Sequence, residues 1–212
     1  VRPIFITKQL AAAVSTGICT SQSPGAGAIT LNGSLVSGGV ANLVTQRQVI
    51  ITSGGNDSGI TFTITGTNDN GVAISETITG ANAGVATSTI DFYTVTSITH
   101  TGSVAGTLTS GTNGVGCTHP IPLGQYVSPF NTSLALEFPT AGSTATVQYT
   151  YDDVFSLSVV QSNGLRWTSV SSLTDKTTDS DGSLTAPVAA VRMKITAGTA
   201  PVTITVRQAG LG

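Results

Sequence analysis

The chain has 212 residues, of which 39% are hydrophobic and only 8% charged, with eight Lys and Arg set against ten Asp and Glu. A formal charge of −2 cannot supply the clustered phosphate contacts of nucleic-acid binding, and the scattered basic residues form no run that would hold an anionic membrane. Ample apolar content with little net charge excludes a disordered chain, and Thr, Val, Ile and Gly outweigh the helix formers, so strands are expected.

Taken in chain order, the sequence predicts an all-β protein of two consecutive antiparallel β-sandwich-like modules preceded by an extended N-terminal arm. The arm covers residues 1–28. It begins Val1-Arg2-Pro3-Ile4-Phe5, lacks the order of a secretory signal, and is read as a mature start. It ends in Ser23-Pro24-Gly25-Ala26-Gly27, a connector by composition, and it carries too little apolar surface for a core of its own, so it must lie on its own domain or on a neighbouring subunit. The first module covers 29–116. Ile60, Phe62 and Ile64 alternate with Thr61, Thr63 and Thr65, which places an apolar row on one face and a hydroxyl row on the other. Gly66 to Gly71 turns the chain into a partner strand over 72–79, a hairpin signal, and further strands are expected over 29–31, 48–52, 86–95, 97–103 and 105–108.

Pro120, Pro122, Gly124 and Pro129 mark residues 117–130 as an extended linker. The second module covers 131–212. Leu134, Leu136 and Phe138 alternate with polar or small residues, as do Val147, Tyr149 and Tyr151. Val191, Met193 and Ile195 alternate with Arg192 and Lys194, and Val202, Ile204 and Val206 with Thr203 and Thr205. The polar tract 174–182 reads as an exposed loop.

Most chemistry fails on spacing. Cys19 and Cys117 lack metal-ligand spacing and read as two buried free thiols, a long-loop disulfide being the alternative. His100 falls in a strand and His119 precedes Pro120; neither neighbours a nucleophile elbow. Asn68 to Gly71 and Asp175 to Gly182 resemble calcium loops but miss the twelve-residue template, and turns use the same residues. Asp152 and Asp153 are adjacent and would point to opposite faces, so they make no acid–base pair. Arg166-Trp167 could be a sugar platform, although a sole Trp more often anchors a core or an interface. No catalytic residue, metal ligand or cofactor is expected.

The runs Val49-Ile50-Ile51-Thr52-Ser53-Gly54-Gly55-Asn56-Asp57-Ser58-Gly59-Ile60-Thr61-Phe62-Thr63-Ile64-Thr65-Gly66-Thr67 and Glu76-Thr77-Ile78-Thr79-Gly80-Ala81-Asn82-Ala83-Gly84 resemble a module of small β-rich structural proteins of tailed bacteriophages. The second half is similar to the same group, in Thr146 to Asp153, Asp181-Gly182, Pro187 to Met193 and Val202 to Val206. The resemblance covers most of 30–208 and implies a virion component with no catalytic residue. Its leading form is a capsid decoration or cement protein binding the major capsid protein and further copies of itself. The alternative is a tail or neck accessory around the head–tail adaptor, and a carbohydrate-binding adhesin is a third reading. Arg2, Phe5 and Trp167 are the expected interface residues.

Overall fold

The structure is a computed structural model that describes residues 4–10, 12–155 and 165–208. In chain order its strands are β1 (Ile4–Leu10), β2 (Cys19–Gln22), β3 (Gly27–Ala28), β4 (Val36–Ser37) and β5 (Val40–Ser53). Then come β6 (Thr61–Thr67), β7 (Ala73–Thr79), β8 (Val85–His100), β9 (Leu108–Cys117), β10 (Ile121–Pro122) and β11 (Thr132–Glu137). The last are β12 (Ser143–Thr150), β13 (Thr168–Ser169), β14 (Ser180–Leu184), β15 (Ala190–Gly198) and β16 (Val202–Gln208), with one 3-10 turn at Ser171–Leu173. The protein is all-β, built from antiparallel sheets. It divides into two compact units, 13–116 and a second made of 1–12 with 117–212.

In the unit 13–116 the main strands run in the order β9-β5-β8-β6-β7, with β2, β3 and β4 pairing at the margins. The period-2 pattern of β6 is realised as alternating half-buried Thr and fully buried Phe62 and Ile64. Ile18, Leu43, Ile51, Phe92, Ile98 and Leu108 close the core around them. Each such side chain contributes about 1.5–3 kcal/mol relative to leaving it in water. Strand β8 runs unbroken through residues where two strands are expected, because β5 pairs with its first part and β6 with its second. A bulge between Thr65 and Gly66 shifts the β6–β8 register, and a Cβ at Gly66 would collide with the Thr94 carbonyl; the close strand approach requires Gly. The strand expected at 105–108 starts instead at Leu108 and continues to Cys117, through Gly111, Gly114 and Gly116, a stretch whose glycines mask its alternation.

The second unit is a sandwich. One sheet has the order β1-β16-β11-β14, the other contains β13-β12-β15 with β10 on β15. Leu134, Leu136, Ile204 and Val206 from the first meet Val147, Val191, Met193 and Ile195 from the second. Three expectations about segment roles change here. The arm over 1–28 is not one element: Ile4–Leu10 pairs along the whole of β16 in this unit, while residues from 13 onward belong to the other. Residues 117–130 are not a bare linker, since Ile121, Leu123 and Phe130 are buried in this core, Val127 is buried as well, and the Gln208 side chain bonds both the N–H and the carbonyl of Gly124. Prolines deny these residues a period without denying them burial. The loop expected over 174–182 contains a bridge at Lys176 and runs into β14, which pairs with β11 from Ser180.

Candidate interaction surface

On strand β12, half-buried Gln148 lies on the face opposite the core residue Val147, between buried Thr146 and Thr150. Its register partner on β15 is Arg192. The two long polar side chains meet, with Arg192 Nε donating to Gln148 Oε1 at 3.0 Å and Nη1 reaching the Cys117 Sγ at 3.5 Å. On the other flank, β13 pairs Ser169 with Gln148 and Thr168 with Tyr149, which brings half-buried Trp167 beside β12. The Arg192 guanidinium lies over the Trp167 ring with Cζ 4.2 Å from its centroid. A planar cation fixed by two side-chain bonds thereby immobilises the indole in a stacking geometry that favours attraction.

Further exposed aromatic and charged groups belong to the same unit. Tyr151 stands edge-on to Tyr149 at 5.5 Å and is 64% exposed, and Phe155 is 75% exposed. Asp152 Oδ2 accepts the Arg166 N–H at 2.7 Å, and its Oδ1 lies 3.4 Å from the exposed guanidinium of the same residue. That N–H, and behind it the guanidinium, hold the Asp152 carboxyl below the ordinary aspartate value. Asp153 Oδ1 accepts the Phe155 N–H, so Asp152 and Asp153 each order local backbone and do not act as a pair. Asp152 thereby ties the segment that carries exposed Tyr151 and Phe155 to Arg166, the chain neighbour of the stacked Trp167, and Trp, Tyr and Arg are the residue types enriched in protein-binding hot spots.

A second surface of different character lies on the unit 13–116. The outward residues of β7, β6 and β8 align in rows: Thr77, Thr63 and Thr99, then Ser75, Thr65 and Ser97. Hydroxyls bond across the strands, Thr63 to Thr77 at 3.3 Å and Thr67 to Thr94 at 2.7 Å. The face is uncharged and polar.

Of the expected interface residues, Trp167 is in the first surface. Arg2 lies outside the described residues. Phe5 sits in β1 opposite Arg207, and its side chain also lies outside them. Alternation put Arg192 on an outward position; its stack on Trp167, 25 residues earlier in the chain by position number, had no sequence signal. Arg207 with Asp181, Ser133, Ala135 and Thr205 lines a shallow groove on the outer face of β11, β14 and β16.

The remaining chemistry-bearing residues are dispersed. Cys19 and Cys117 are buried free thiols, and burial pushes the Cys19 thiol up. His100 is buried against Phe62 with Nδ1 at 2.7 Å from the Gly102 carbonyl, whereas His119 is half-buried between Thr118 and Pro120. Asn68 closes its turn by accepting the N–H groups of Asn70 and Val72, and Gly71 adopts φ 75° there. Among the described residues no three His, Cys, Asp or Glu side chains gather as a metal cluster, and no helix is long and apolar enough to cross a membrane. Neither a protein-family model nor a curated protein matches the chain.

Proposed function

We propose that the protein is a non-catalytic structural component of a bacteriophage particle, a capsid decoration protein that docks on the major capsid protein lattice through the surface around Trp167 and Arg192. The observation that carries this reading is the stacked Trp167–Arg192 pair, with exposed Tyr151 and Phe155 on the segment that Asp152 ties to Arg166, on a chain that is only 5% aromatic and 8% charged. Interface cores are enriched in these residue types, and exposed Phe and Tyr are stabilised by burial against a partner. The phage resemblance of the strand and turn motifs supplies the context. Low charge suits a protein that packs in many copies, because like-charge repulsion does not accumulate. Arg192 already covers one face of Trp167, which favours a protein partner over a sugar stacked on the indole.

Particles of the phage that carries the gene provide the test. Quantitative proteomics of tailless capsids is expected to find the chain at a copy number that scales with the major capsid protein. A number that scales with the tail or neck proteins, or absence from particles, overturns the reading. Binding of the purified chain to capsids stripped of it is expected to weaken at least tenfold in the Tyr151→Ala, Phe155→Ala double variant, the loss of one hot-spot contact being about 1.4 kcal/mol or more.

A further inference from the structure

Strand β7 ends its sheet: β6 pairs with it on one side, and no strand among the described residues pairs on the other. Such an edge offers unpaired N–H and C=O groups to any extended chain, and proteins guard it with Lys, Pro, a bulge or an inward charge. Strand β7 reads Ala73-Ile74-Ser75-Glu76-Thr77-Ile78-Thr79, without Lys or Pro. Its register with β6 runs without a shift from Thr61 opposite Thr79 to Thr67 opposite Ala73.

Its one charge is spent elsewhere. Glu76 pairs with buried Ile64 and so faces inward, where its carboxylate accepts the Thr89 N–H at 2.9 and 3.0 Å, the Thr89 hydroxyl at 2.6 Å and the Ile90 N–H at 2.9 Å. An inward charge repels an incoming strand when pairing would strand it without partners. This one has its partners already.

We propose that β7 pairs antiparallel with β7 of a second copy, about a two-fold axis through Glu76. The occupant is identified by the strand's own symmetry: Ile74-Ser75-Glu76-Thr77-Ile78 has the same chemistry read in either direction. A two-fold at Glu76 sets Ile74 against Ile78 of the second copy on the inner face and Ser75 against Thr77 on the outer face. This is an isologous contact, in which one patch serves both chains. Ile74 is half-buried and packs against its own core, and gains cover from the second copy's Ile78. The hydroxyl rows also continue without interruption, Thr99, Thr63 and Thr77 of one copy leading into Ser75, Thr65 and Ser97 of the other. The two Glu76 carboxylates come opposite each other, each held by its own β8. The inference uses this edge alone and is independent of the virion reading.

Sedimentation of the purified chain is expected to give twice the 21.3 kDa of one copy, falling to one copy in the Ser75→Lys, Thr77→Lys double variant with its circular dichroism unchanged. A parent chain that stays monomeric at high micromolar concentration, or a dimer that survives both lysines, overturns the proposal. Register is read separately with conservative single variants. Opposed Cα atoms across an antiparallel pair lie roughly 4.5–5.5 Å apart, within the span of a disulfide. Mild oxidation of mixed Ser75→Cys and Thr77→Cys chains is therefore expected to give covalent dimer, and either variant alone little. Equal cross-linking of each variant alone, or none in the mixture, overturns the two-fold at Glu76.

Discussion

The guanidinium of Arg192 covers the ring of Trp167 at 4.2 Å, and the same group is held by Gln148 and Cys117. Trp167 is the only Trp in the chain, so its fluorescence reports this contact alone. Arg192→Ala is expected to shift the emission to the red and to lower stability by about 1 kcal/mol, the scale of a half-exposed cation–π pair plus a side-chain bond. Arg192→Lys keeps the charge but loses the planar fork, and is expected to resemble the Ala variant in fluorescence. An unchanged spectrum in both variants refutes the stack.

Glu76 supplies acceptors to two N–H groups and a hydroxyl on β8 that have no strand partner at that point. An amide in its place offers one oxygen and turns an NH2 group towards donors. Urea titration is expected to place Glu76→Gln about 1–3 kcal/mol below the parent at neutral pH. A shift under a few tenths would mean that water replaces the carboxylate without loss.

Val44 is 61% exposed and adopts φ 68° in the β5 bulge, with its N–H bonded to Asn42 Oδ1 at 2.8 Å. A β-branched side chain is strained in the left-handed region by roughly 1–2 kcal/mol. Gly removes that strain and returns part of the gain as unfolded-state entropy. Thermal unfolding of Val44→Gly is expected to show a net gain of about 0.5–1 kcal/mol. A destabilised variant would show that the Val44 side chain contributes more than its backbone costs.

The Asp152 carboxyl titrates below the ordinary aspartate value because of the Arg166 N–H and then the Arg166 guanidinium. A lowered folded value means that the contact contributes stability above the unfolded value and loses it as the pH falls through the folded one. An NMR titration of the Asp152 side chain is expected to give a midpoint below the ordinary aspartate value. The Asp152→Asn variant is expected to lose the acid-limb change assigned to this residue. A midpoint at or above the ordinary value refutes the arrangement.

Much of the strand content was legible in the alternation of apolar residues with Thr. Phe62 and Ile64 in β6, Leu134 and Leu136 in β11, and Met193 and Ile195 in β15 all face a core as their period requires. Where the period fails, the reading failed with it. Strand β9 is interrupted by glycines, β14 carries the turn-like run Ser-Asp-Gly-Ser, and residues 117–130 bury apolar side chains among prolines. In each, pairing by a distant strand or packing into a core outweighed local preference.

Composition and period thus determined an all-β chain with apolar cores, hydroxyl-bearing outer faces and thiols without metal-ligand spacing, because these properties depend on residue type and on neighbours two positions away. Which segments share a unit was decided only by the tertiary structure. Pairing β1 with β16 joins residues about two hundred positions apart, and the contacts of Arg192 with Trp167, Gln148 and Cys117 join four separate segments. The inward turn of Glu76 belongs with these. A carboxylate on an edge strand reads as a guard, and only the fold of β8 over it supplies the donors that make it a support.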